Sequence, residues 1–152
     1  MARGDVHIFA AFDQKSRAGT GFSLTSDTLK LGIVTSATAP AVGTNDPRWG
    51  VGGTTDFSAN QVPTATGYTG PVTVTGVTFT RASGVTTLAA ANITIPQDAS
   101  GFTTGAYGIL YDSTVAGNFA IGYVDLGGPV GNVSGPININ WNASGIATWT
   151  AA

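Results

Sequence analysis

The chain has 152 residues, of which 42% are hydrophobic and 9% charged, with a formal net charge of −2. That length and apolar content point to one domain, 1–152, with a real core, and exclude disorder. The charged fraction is far below the roughly 25% of an ordinary soluble domain, there is no cysteine, and the few Lys and Arg are scattered, so disulfides, thiolate chemistry and a basic nucleic-acid face are excluded.

In chain order, the first element reads as a helix over about 5–18. Asp5 serves as its cap, Val6, Phe9, Ala10 and Asp13 fall at helical spacing, and Lys15 and Arg17 stand where the helix dipole favours cations. Gly19 or Gly21 ends it. A strand with Val6, Ile8, Ala10 and Phe12 on one face competes, and the caps favour the helix. Phe9 and Phe12 are then expected against the sheet or a partner.

A β-domain follows over about 27–150. Thr28 to Thr35 alternates, with Leu29, Leu31 and Ile33 on one face. Residues 36–56 are rich in Gly, Pro, Thr and Ala with little periodicity, so they read as a long loop of functional interest. Within it, Trp49 beside Arg48 reads as an exposed anchor. Val72 to Arg81 reads as one strand whose phase changes at Gly76, a place for a β-bulge. Ala82-Ser83-Gly84 turns the chain into Val85 to Ile95. Further strands are expected at 106–111, 119–126, 136–141 and 146–150, with Trp141 in the core and Trp149 open to either a core or a surface role. The fold class is therefore mainly β, an antiparallel β-sandwich or open barrel of short strands with one N-terminal helix.

Catalytic chemistry has little to work with. The single histidine, His7, would have to serve any Ser/His/Asp triad from the N-terminus, and no Gly-x-Ser-x-Gly is present. All eight acidic residues are aspartates, none in calcium-loop spacing, and they read as turn caps that bond nearby backbone. The Gly-rich stretch 50–55 lacks the Lys of a phosphate loop. No catalytic, metal or cofactor residue is assigned. No run approaches the roughly 18 to 20 apolar residues of a membrane helix, and the first residues do not lead into an apolar signal segment, so no membrane partner is expected.

Several landmarks occur in a characteristic order. They are 27–36 (Asp-Thr-Leu-Lys-Leu-Gly-Ile-Val-Thr-Ser), Asn45-Asp46, Ala59-Asn60-Gln61-Val62, 106–112 (Ala-Tyr-Gly-Ile-Leu-Tyr-Asp), 121–128 (Ile-Gly-Tyr-Val-Asp-Leu-Gly-Gly) and the Ser134-to-Ile146 segment around Trp141. Through them nearly the whole chain resembles small β-rich structural proteins of tailed bacteriophages, of the head decoration or cement type. The resemblance implies a virion protein on the head surface, present in the host cytoplasm during assembly. It also implies the major capsid protein as partner and a homo-oligomer on the capsid, with no cofactor. It brings no catalytic residues. The expected contacts are Arg3, His7, Phe9, Phe12, Arg17, Arg48, Trp49 and Trp149, from the helix, the long loop and the C-terminal tail. The alternative is a tail-associated or carbohydrate-recognising β-domain without enzymatic activity, motivated by the Arg48/Trp49 pair.

Overall fold

The computed structural model describes residues 5–19 and 21–150. The chain is mainly β with one short N-terminal helix, and its strands pair antiparallel apart from one short pair. Among the described residues they form four sheets and no closed barrel.

The largest sheet contains β1 (Val6–Ile8), β2 (Leu29–Val34), β5 (Val72–Thr73), β9 (Gly105–Asp112) and β10 (Ala120–Val130). Their order is β1-β10-β9-β2-β5. β2 and β9 lie inside it and are buried on both faces, which is why Leu29, Leu31, Ile33, Ile109 and Leu110 are wholly removed from solvent. β8 (Ile93–Ile95) pairs with β11 (Ile137–Ile139), turning four isoleucines inward and Thr94 and Asn138 outward, as period two requires. β6 (Thr78–Ala82), β7 (Val85–Ala89) and β12 (Ala147–Thr150) make a three-stranded sheet with β7 in the middle.

The expected helix over 5–18 is corrected. Val6 to Ile8 form the strand β1, because the edge of β10 offers backbone partners in register (Val6↔Val124, His7↔Tyr123, Ile8↔Gly122). Helix α1 runs only over Ala10–Arg17 and is entered through Phe9 in an extended conformation. Asp5 does not cap it; its carboxylate accepts a hydrogen bond from Asn142 at 2.9 Å. Lys15 and Arg17 do occupy the last turn, and Gly19 beyond it has φ 74°.

Two further expectations change. Residues 72–81 are not one bulged strand: β5 and β6 belong to different sheets, and Gly76 (φ 63°) lies in the segment that carries the chain between them. The long loop is not featureless either, since β3 (Pro47–Arg48) pairs in parallel with β4 (Thr55–Asp56) inside it. Trp141 is in the core as expected, its indole N–H donating to the Ala91 carbonyl at 2.8 Å.

Candidate docking surface

Most charged side chains are engaged within the fold. Asp56 accepts from the amides of Gly50 and Ser58, Asp98 from those of Gly67 and Ser100, and Asp125 from that of Gly127. This is turn and loop capping, as the sequence suggested. Burial works against the Asp46 carboxylate, but Arg48 and Lys15 beside it hold it below the usual range.

One acidic group behaves differently. Asp112 ends β9 with no exposure, and its Oδ1 accepts the amides of Thr114 and Val115. Its Oδ2 has no hydrogen-bond donor among the described residues. Burial pushes this carboxyl up to about 6; the Thr114 amide opposes the rise, and Asp27 beside it adds to it. Sequence spacing cannot reveal this pair, because β2 and β9 bring it together from 85 positions apart, the separation of Thr28 and Ser113 next door. Among the described residues no three His, Cys, Asp or Glu side chains group as a metal site.

The residues expected to make contacts separate into two sets. Arg3 lies outside the described residues. Phe9 and Phe12 are fully buried, Phe9 stacked on Phe57 and Phe12 edge-on to Phe22, so they belong to the core and not to a partner. Trp49 is not an exposed anchor: it is 7% exposed and lies flat on Tyr111, with ring centroids 5.2 Å apart. Gly32 makes room for it, since a Cβ there would fall inside the indole. Arg48 is turned inward too, bonded to Asp46 and to the Ala116 carbonyl and lying over the Phe119 ring. The Arg48/Trp49 motive for sugar binding is thereby removed.

The other set lies nearer the surface. His7 stacks on Tyr123 at 5.0 Å, and exposed Arg17 pairs with Asp13 one helical turn back. Trp149 packs edge-on against Phe79, which is 44% exposed. A groove of about 540 Å³ runs between β1 and β12, with Val6, Ile8, Ile146 and Trp149 among its walls and Asp5 and Asp13 as its charged groups. Neither β10 nor β7, the strands to which β1 and β12 are bonded, contributes to its lining, so the groove lies on their unpaired sides. A second hollow of about 490 Å³ adjoins it, between Phe12, Arg17, Phe22, Phe79 and Trp149.

The strand registers show which backbone groups are left without a strand partner there. The Phe9 amide bonds Ile121 beside the Ile8↔Gly122 pair, so His7 addresses β10 while Val6 and Ile8 point their N–H and C=O outward. The two-residue turn Ser83-Gly84 makes Ala82 and Val85 a bonded pair, so alternate residues of β7 face β6 and β12 in turn. Thr148 and Thr150 of β12, and Phe79 and Arg81 of β6, therefore direct their backbone groups away from the sheet. Nothing in the sequence singles out Phe79 within the stretch 72–81, because alternation does not tell which face is covered; here the whole of β6 is exposed.

Comparison with protein-family models, curated proteins and solved structures finds no match to this chain.

Proposed function

We propose that this chain is a virion structural protein that decorates and cements a phage head by bridging neighbouring major capsid protein subunits as a homo-oligomer. The observation that carries the reading is the docking surface: sheet edges with unpaired backbone groups beside a groove of mixed apolar and polar lining and the half-exposed Phe79. Such edges are templates for pairing with other chains. The sequence resemblance to small structural proteins of tailed phages supports the same reading, and so does the use of the aspartates as loop caps rather than as an assembled acid–base site. Bridging suits a protein whose single contacts are modest, because an oligomer that engages several sites at once gains avidity without any new contact.

The test is binding of the purified protein to heads assembled without it, read by co-sedimentation and electron cryomicroscopy. Saturable binding at a fixed symmetry position is expected. Failure to bind, together with absence from washed virions, overturns the reading. The hollow formed by Phe79, Trp149, Asp13 and Arg17 gives the carbohydrate alternative a new place. A glycan array in which binding is abolished by Trp149→Ala would favour it.

A further inference from the structure

The three-stranded sheet ends in two unlike free edges. On one side β12 presents the backbone of Thr148 and Thr150; on the other, β6 presents that of Phe79 and Arg81. Each edge offers outward groups at i and i+2, the spacing at which strands exchange hydrogen bonds. The side chains complement one another as well. Phe79 and Arg81 lie on the same sheet face as Ala147 and Trp149, because residues in register share a face and alternate residues along a strand return to it. That face of β12 opens into the groove whose charged groups are Asp5 and Asp13. Arg81 is exposed and makes no hydrogen bond or ion pair with any described residue.

We propose that copies of this chain associate head to tail, the β6 edge of one copy adding to the β12 edge of the next. Backbone bonds form between the two edges, and Arg81 and Phe79 of the incoming copy enter the groove beside Asp5, Asp13 and Trp149. The occupant is a second copy because β6 supplies the basic side chain that the groove lacks, and an aromatic to pack beside Trp149, on a strand whose outer edge is unbonded. The interface joins two different patches, so it closes into a ring or continues as a filament, as heterologous contacts do. The inference deepens the homo-oligomer part of the proposed function and rests on none of its viral part.

Two substitutions each disable one edge. Thr148→Pro and Arg81→Pro remove N–H groups that point away from β7, and proline is tolerated on edge strands in that orientation. Circular dichroism and melting of each variant confirm that it folds. In sedimentation velocity the wild type is expected to self-associate with concentration, and each variant alone to weaken association about tenfold or more. An equimolar mixture of the two variants is expected to give a one-to-one heterodimer, because one intact β12 edge and one intact β6 edge remain between them. Several outcomes overturn the inference. One is a wild type that stays monomeric up to about millimolar concentration. Another is an Arg81→Pro variant that still dimerises alone, which would indicate β12 pairing with β12. The last is a mixture that stays monomeric. Failure of head binding with the heterodimer formed would overturn the proposed function and leave this interface standing.

Discussion

At the scale of single residues, Asp112 is a wholly buried carboxyl, one of whose oxygens has no hydrogen-bond donor among the described residues. Its carboxyl is raised from an ordinary 3.8 to about 6 by burial, with Asp27 acting in the same direction. A raised carboxyl pKa means that its favourable contribution is complete below 3.8 and is lost as pH rises through about 6. Asp46 and Asp56, held below the usual range by Arg48 and by Ser58 and Gly50 against the opposing effect of burial, act the other way: their contribution is lost as pH falls. Stability is therefore expected to peak in mild acid and to decline toward neutrality. Asp112→Asn keeps an acceptor for the Thr114 and Val115 amides and removes the charge beside Asp27. It is expected to stabilise the protein at pH 7 by about 1–2 kcal/mol and to flatten the decline between pH 4 and 7. Urea unfolding at a series of pH values checks both outcomes.

At the scale of elements, the β6–β7 hairpin shows local sequence acting directly. Ser83 (φ 48°) and Gly84 (φ 80°) both adopt left-handed conformations, the arrangement of a two-residue type I′ turn whose twist matches the flanking strands. Glycine meets this requirement freely, and serine meets it poorly. Ser83→Asn is expected to raise stability by about 0.5–1 kcal/mol without altering association, measured by thermal and urea unfolding. The first element shows the opposite case. Val6 to Arg17 carries spacing compatible with either helix or strand, and the division at Phe9 is set by the unpaired edge of β10, which lies more than a hundred positions away in sequence. Likewise Trp49 sits in a stretch without periodicity, and only its flat stacking on Tyr111, in the space that Gly32 leaves open, turns it from a surface aromatic into a core residue.

At the scale of the whole molecule, burial is uneven. β2 and β9 are enclosed on both faces, whereas β6 is exposed along its length and β12 alternates between half-buried and exposed. Regions with few buried apolar contacts open at lower free energy. Hydrogen exchange of the dilute protein is expected to be slowest for the amides of Ile33, Ile109 and Leu110 and fastest within the three-stranded sheet at Phe79, Arg81 and Thr148. Concentration into the associating range is expected to slow those last three selectively. Uniform slowing across the molecule would contradict an edge-to-edge contact.

The sequence by itself determined the β-rich class, the single N-terminal helix turn region, the strands from Leu29 to Val34 and from Gly105 onward, the turns at 82–85 and 142–145, and the capping role of the aspartates. These follow from properties that act over a few residues: period-two alternation, glycine in left-handed turns, and short side chains that bond adjacent backbone. Only the tertiary structure decided that residues 6–8 are a strand, that 72–82 is split between two sheets, that Arg48 and Trp49 turn inward, that Asp112 meets Asp27, and that β12 and β6 are left as unlike edges of one small sheet. Each of these depends on which distant strand supplies the neighbouring backbone or covering ring, and pairing across tens of residues leaves no local periodicity to read.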